Sequence, residues 1–527
     1  MSQPEHIENV PAEIWTKILV EAEPFVVLSV GRTCRYLRDI TSSKDLWRGL
    51  VDTMCAKHDL FRPSYPVEDM SLVQIQRATV RPYLFARQLQ HRGASFDTPI
   101  AEVNSLEPVS RQIIWPQRHI LFSQLVPGGR FGVFIYSMSA ETLATFGGAP
   151  SISMELVDLG PPGLPLSSEP ALRYIHPNIG SVTHDKRVVA SISINSQNPD
   201  TLRVGLATVR TDRSCVASIF AITPTHPAPS FEKLASVTIM NRFSTEIVRS
   251  VLVHGDRALL ILGNVFIAWS FAEETCIVIH HNVTSTIFQT ILTDDEIVCI
   301  AASGVYLWTL SDKQSESIPT SKGVFLESLP PLRSSDTTIQ PPWDRVAYHI
   351  PVTMPGNDKL PFTFDVFLVP RTGVNVDEVA NGRRYTLRKP QKTNHGPIVR
   401  TTQPPAREIA LYLEHSYEVP LGYLIPSAST LCLHPGLSTL SARLNASGTY
   451  VDLLYWIQPR IIADTEPQEG VEGYTGTMQF VTFRRKLLQL SWCPASSRSF
   501  NPGPYIHIGR LGAPGTQAAI EVSDYMT

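Results

Sequence analysis

Helical spacing of apolar residues ends near residue 100; from there to residue 527 short runs rich in Val, Ile, Phe and Thr alternate with clusters of Gly, Pro, Asn, Asp and Ser. A change from a period of about 3.6 to short strand-like runs divides the chain into a small helical beginning and a large all-β body. At 527 residues the chain is also too long for one ordinary core, since single cores stop growing near ~250–300 residues unless a repeat extends them. The 42 prolines, many of them in 160–170, 223–230, 329–342 and 397–405, put irregular loops between the strands.

The first stretch reads VPAEIWTKILVEAEPFVVLSVGRTCRYLRDITSSKDLWRGL from Val10. Ile14, Trp15, Ile18 and Leu19 fall on one stripe of a first helix that Pro11 opens, and Pro24 restarts the chain. Val27, Leu28 and Val30, followed by Cys34 and Leu37, predict a second helix, and Thr41-Ser42-Ser43 precedes a third that starts near Asp45-Leu46-Trp47. Three helices this small bury little, so the pattern predicts that their missing core comes from a partner, with the two tryptophans in the anchoring surface. The plainer alternative is a helical cap packed on its own body.

This segment resembles an F-box. Val10-Pro11, Glu13-Ile14, Ile18-Leu19, Pro24, Val27-Leu28, Cys34-Arg35 and Leu46-Trp47-Arg48 match the successive pairs of that motif, with its usual spacing between Leu19 and Cys34. Val10, Val26 and Thr33 depart from it, standing where leucine, an acidic residue and valine are common. The resemblance implies a substrate receptor of a Skp–cullin–F-box ubiquitin ligase, which binds the Skp-type adaptor and, through it, a cullin. It implies an adaptor surface drawn from Val10, Pro11, Ile14, Trp15, Ile18, Leu19, Leu28, Cys34, Leu37 and Trp47, some of them internal to the module. Such a chain is no enzyme; it raises the effective concentration of a target lysine near a thioester held by other subunits.

The expected organisation is an F-box over 1–55, a helical linker over 56–100 and a β-propeller-like recognition domain over 101–527. In the linker, Arg62-Pro63-Ser64-Tyr65-Pro66 reads as a separating turn, followed by a helical strut that Pro82 interrupts. In the body, a strand, a glycine turn and a strand ending in tryptophan recur, with Asp256 to Asp295 and Trp269 to Trp308 both spaced by 39 residues. A period near forty predicts a propeller of WD-repeat type, with six to eight blades; an irregular sandwich is the alternative. Fainter echoes begin at Pro127, His184 and Ala446. An F-box ahead of a β-rich body is similar to fungal F-box proteins with propeller-like C-terminal regions, and Leu125-Val126-Pro127-Gly128-Gly129-Arg130 fits that group.

A net charge of −3 supplies no basic field to recruit nucleic acid or an anionic membrane. Seven scattered cysteines suit a reducing compartment, and the acidic N-terminus and the lack of an apolar run near ~18 residues predict a soluble protein of the cytoplasm or nucleus. No phosphate-cradling loop, zinc-protease helix or hydrolase elbow occurs, so no cofactor, metal or catalytic residue is expected. Cys432 and His434 read as ordinary packing, and His280 and His281 as one buried and one wet. Arg383, Arg384 and Arg388, with Lys389, Lys392 and Arg400, read as a solvated loop whose sharper role is contact with an acidic or phosphorylated target; the Asp464–Glu472 stretch reads as solubilising. The competing functions are a propeller scaffold outside any ligase and a propeller-fold enzyme.

Overall fold

In a computed structural model of the chain the described residues are 10–92 apart from 59, most of 109–310, and between 318 and 524 the strands with a few residues beside them. Cys432, His434, Lys389, Lys392, Arg400 and the 464–472 stretch lie outside the described residues.

Among the described residues before 60 there are four helices, where three were expected: α1 (Ala12–Val20), α2 (Pro24–Val30), α3 (Arg35–Thr41) and α4 (Lys44–His58). The extra break splits the expected second helix at Gly31–Cys34. Cys34 is fully extended there, and the Thr33 hydroxyl donates to the Val30 carbonyl at 2.7 Å, a local bond that competes with helix continuation. Gly31 suits the bend because a Cβ on it would lie 2.3 Å from the Thr41 Oγ1. A long helix, α5 (Leu72–Arg92), follows, opened by a reciprocal cap in which the Ser71 amide donates to Gln74 Oε1 and the Gln74 amide to Ser71 Oγ. Contrary to expectation it runs through Pro82 without stopping. The lost hydrogen bond is offset by packing, with Ile75, Ala78 and Phe85 all buried. The boundary expected at residue 55 falls inside α4.

The body is a succession of antiparallel sheets, seven among the described residues. Sheet A holds His119–Leu125, Phe131–Ser137, Ser151–Asp158 and Leu172–Ser181, paired in chain order. Sheet B holds Val188–Ile194, Leu202–Val209, Cys215–Ile222 and Glu232–Asn241, joined by Val324–Leu326 running parallel to the last of these. Sheet C is Val248–His254, Arg257–Leu262, Val265–Ser270 and Thr275–His281, the last flanked by Ile318–Pro319, antiparallel, and Leu332–Arg333, parallel; sheet D is Ile287–Leu292, Glu296–Ala301, Gly304–Thr309 and Thr337–Ile339. Sheet E is Tyr348–Ile350, Phe362–Leu368, Val379–Arg388 and Ala410–Pro420, and sheet F is Leu437–Leu444, Val451–Ile457 and Met478–Phe483. In sheet G, Ser491–Cys493, Arg498–Pro502 and Ile520–Asp524 are completed by Ser110–Ile114, so the first strand of the body pairs with its last.

The 39-residue repeat is visible strand by strand. Moving Arg257–Leu262 and Val265–Ser270 forward by that period lands on Glu296–Ala301 and Gly304–Thr309. Trp269 and Trp308 are the last residue but one of their strands, and both are fully buried at seams between sheets: Trp269 clusters with residues of sheets B and C, Trp308 with residues of C and D. The echo from Pro127 keeps this frame, entering the second strand of sheet A and ending its third. Those at His184 and Ala446 do not, since they run into the first two strands of sheet B and the second strand of sheet F.

Charged staples cross two of the seams. Arg203, from the second strand of sheet B, is buried and reaches the first turn of sheet C, where its Nη2 donates to Asp256 Oδ1 at 2.8 Å and its Nη1 to the Gly255 carbonyl. Arg257 in turn donates to the Asp294 carbonyl in the first turn of sheet D. Both staples place a desolvated or half-desolvated guanidinium on acceptors that the neighbouring turn would otherwise leave bare.

Candidate docking face and its mounting

The helical module has two sides with opposite character. Its inner side shares one hydrophobic core with sheet A: Leu19, Val27, Leu37, Trp47, Leu50 and Ile75 cluster with Ile120, Leu125, Phe134, Tyr136, Val157 and Leu159. The expectation that these helices find their missing core only on a partner is therefore wrong. The body and α5 supply it, because residues 60–66 fold back onto the sheet instead of separating two domains.

That strap is held closely. Phe61 is fully buried, donates its amide to the Pro127 carbonyl at 3.0 Å and packs edge to face on Phe131 at 5.8 Å. Gly128 stands at φ +101° with its α-carbon so near the strap that a Cβ would lie 2.5 Å from Ser64 Oγ. Arg130 pairs bidentately with the buried Asp158 carboxylate, at 2.9 and 2.7 Å, and gives its Nη1 to the Pro63 carbonyl at 2.9 Å. Asp158 is completed by the Gly160 amide at 2.9 Å. Arg62 donates to Asp52 at 2.9 Å and lies 3.8 Å from Asp200, in the turn before the second strand of sheet B; the Asp52 bond, outweighing partial desolvation, holds its guanidinium firmly protonated. None of Phe61, Arg130 and Asp158 was singled out as a contact from the sequence. The signal available was Gly128-Gly129-Arg130, where both glycines take positive φ as a tight turn requires.

The outer side is open. Ile14 and Ile18, one turn apart on α1, are 45% and 53% exposed, and Val26 on α2 is 47% exposed. Pro11 opens α1 with extended backbone, and its carbonyl accepts the Ile14 and Trp15 amides at 3.0 and 3.2 Å; the Tyr36 hydroxyl pins the residue before it by donating to the Val10 carbonyl at 2.7 Å. Of the ten residues expected at an adaptor surface, Leu19, Leu37 and Trp47 are core. Trp47 is fully buried and donates its indole N–H to the Thr41 carbonyl at 2.7 Å, closing the end of α3. Val10, Trp15, Leu28 and Cys34 are half-buried at the edge, and Pro11, Ile14 and Ile18 face out.

Elsewhere the expected sites separate. Arg383, Arg384 and Arg388 lie on a strand, Val379–Arg388, paired on both sides within sheet E, and not on a loop. His280 and His281 are both buried, which corrects the expectation of one wet ring. His280 Nε2 meets Asn264 Nδ2 at 2.6 Å, while His281 packs on Phe266 at 4.3 Å and near Trp308 at 6.2 Å. Burial, with a smaller push from His280, lowers the His281 pKa to about 4. Among the described residues five cysteines are unpaired, and burial raises the thiol of Cys276 to about 11 and those of Cys215 and Cys299 to about 12, so these sulfurs stay protonated and inert. Among the described residues no group of three His, Cys, Asp or Glu could hold a metal, and no helix is long and apolar enough to cross a membrane.

No protein-family model matches the chain, and no curated protein matches its sequence. Among solved structures it is similar to Chaetomium thermophilum Sqt1 bound to the N-terminus of ribosomal protein L10, at 10% identity over 79% of this chain and 100% of that one, with a TM-score of 0.36. It is also similar to the β-propeller domain of the Trilobed protease from Pyrococcus furiosus, at 9% identity, 65% and 96% coverage and a TM-score of 0.29. A third likeness is to the N-terminal domain of Nup159, at 8% identity, 80% and 95% coverage and a TM-score of 0.30.

Proposed function

We propose that this chain is an F-box-type substrate receptor, in which the outer face of α1 and α2 docks a Skp-type adaptor of a cullin ubiquitin ligase and the β body holds a protein target. The observation that carries the reading is the exposure of Ile14, Ile18 and Val26 on a module whose core is otherwise complete. A closed module has no packing reason to leave three aliphatic side chains in water, and apolar groups on adjacent helices are the usual centre of a helix-mediated interface. The match of Val10-Pro11 through Leu46-Trp47-Arg48 to the F-box motif names the partner class.

The body is proposed to close as a seven-bladed propeller. Pairing of Ser110–Ile114 with Ile520–Asp524 within sheet G supports closure, since a ring that shares one sheet between its two chain ends has no free edge there. The unpaired thiols suit a receptor working in the reducing cytoplasm or nucleus. Rigid mounting of the helices on sheet A also fits this role, because a target held on the body then keeps a fixed distance from the ligase. The test is co-expression of the full chain with a Skp-type adaptor. The wild type should co-purify with it, and Ile14→Asp with Ile18→Asp should not while retaining the wild-type melting temperature. An adaptor retained equally by the double variant would end this reading.

A further inference from the structure

The strap that mounts the helices shows how a short segment can sit at a seam between two sheets. At the A–B seam, on the edge that carries the turns between first and second strands, Phe61 packs on Phe131, the first residue of the second strand of sheet A. It belongs to the same buried cluster as Leu202, which opens the second strand of sheet B, and Ile222, which ends its third. The next residue, Arg62, reaches the carboxylate of Asp200, two residues ahead of that second strand.

The C–D seam carries the same parts on the same edge; Ile318–Pro319 pairs with Thr275 and Cys276 at its sheet C wall, and among the described residues no strap enters it. A recess of about 300 Å³ lies there, lined by Arg257, Ser270, Ala268, Ile277, Glu273 and Leu310 among others. Arg257 is the first residue of the second strand of sheet C, as Phe131 is in sheet A, and Leu310 follows the last residue of the third strand of sheet D, close to the place of Ile222 in sheet B. Asp294 stands two residues ahead of the second strand of sheet D, as Asp200 does in sheet B, with its side chain 66% exposed and one oxygen 3.4 Å from His254. The recess is at the small end of ligand sites, the size for one large side chain and not for a cofactor.

We propose that this recess, taking the body as a receptor, binds a short extended segment of a protein target in which an aromatic residue is followed directly by arginine or lysine. The aromatic ring enters between Ala268, Ile277 and Leu310, with the Arg257 guanidinium over its face. Among the described residues the chain already makes that contact three times, with Arg87 4.9 Å above the ring of Phe25, Arg130 4.9 Å above Phe131 and Arg203 5.4 Å above Phe271. The basic side chain that follows meets Asp294, as Arg62 meets Asp200, with Glu273 on the rim adding to the attraction. Charge order and the direction of the strap both select aromatic-then-basic over acidic segments.

The experiment uses the full chain and a fluorescein-labelled hexapeptide, Gly-Ser-Phe-Arg-Ser-Gly, read by fluorescence anisotropy. Saturable binding is expected, weakened at least about tenfold when the peptide's Phe becomes Ala. Asp294→Lys, at an exposed position, should weaken the Phe-Arg peptide about three- to tenfold and leave a Phe-Ala peptide unchanged. Ser270→Trp should fill the recess and abolish both. Absence of saturable binding to the wild type, or binding indifferent to Asp294→Lys, overturns the proposal. Because no adaptor is present, the outcome is separable from the ligase reading: peptide binding is expected to survive Ile14→Asp with Ile18→Asp, and a chain that binds adaptor but not peptide loses only the recess.

Discussion

The inner and outer sides of the helical module are built from similar aliphatic and aromatic residues, yet one is sealed and the other is bare. On the inner side Leu19 and Trp47 are buried in the core that the helices share with sheet A and Phe61 is buried on Phe131, while on the outer side Ile14 and Ile18 stand half in water on the same helix as Leu19. The difference teaches that apolar character alone does not mark an interface. What marks one is apolar surface left over after the fold has closed its own core.

The contrast breaks most readily at its sealed side. Trp47→Ala should cost about 3–5 kcal/mol, since it empties a fully buried site and leaves the Thr41 carbonyl without its indole donor; urea unfolding of the chain measures it. A loss under about 1 kcal/mol would mean that α3 and α4 are held by something other than this side chain. Arg130→Ala should come next, at about 3 kcal/mol, because it strands the buried Asp158 carboxylate and releases the Pro63 carbonyl. Limited proteolysis should then cut first within residues 60–66, and uniform cleavage would show that the strap is not what holds the helices. Gly128→Ala should cost about 1–3 kcal/mol through its positive φ and the clash with Ser64, read as a lower denaturation midpoint.

A milder effect separates the seams from the helices. His281 is neutral in the fold, with a pKa of about 4 against 6.5 when unfolded, so the unfolded chain binds more protons between those values. Stability is therefore full above about pH 6.5 and falls as the pH drops toward 4. His281→Phe, which keeps a ring against Phe266, should flatten that part of the melting-temperature profile, and an unchanged slope would assign the loss to other groups. Smallest of all, Ile14→Ser with Ile18→Ser should move stability by no more than about 0.5 kcal/mol while it removes adaptor binding. A large drop in stability would place these residues in the core after all.

Much of this contrast could be read locally. The helical stripe around Ile14 and Ile18, the turn at Gly128-Gly129 and the tryptophans of the 39-residue repeat declare themselves, because period and turn chemistry act over a few residues. The places where local reading failed share one cause. Pro82 looked like a break, Arg62–Pro66 like a spacer, the arginines of Val379–Arg388 like a loop, and one of the paired histidines like a wet side chain. In each, contacts made by distant parts of the chain outweighed local preference: the packed face of α5, the turn of sheet A around Pro127, the neighbouring strands of sheet E, and the C–D seam.

By itself, then, the sequence determined that a helical beginning precedes a β-rich body, where the repeat lies, and which residues resemble an F-box. Tertiary structure alone decided which of those motif residues face inward, that the body closes the helical core, and that one seam between sheets is filled by the chain's own Phe61 while another is left as a recess. The physical reason is that burial belongs to pairs of surfaces that meet only after folding, and no periodicity along the chain records which surfaces those are.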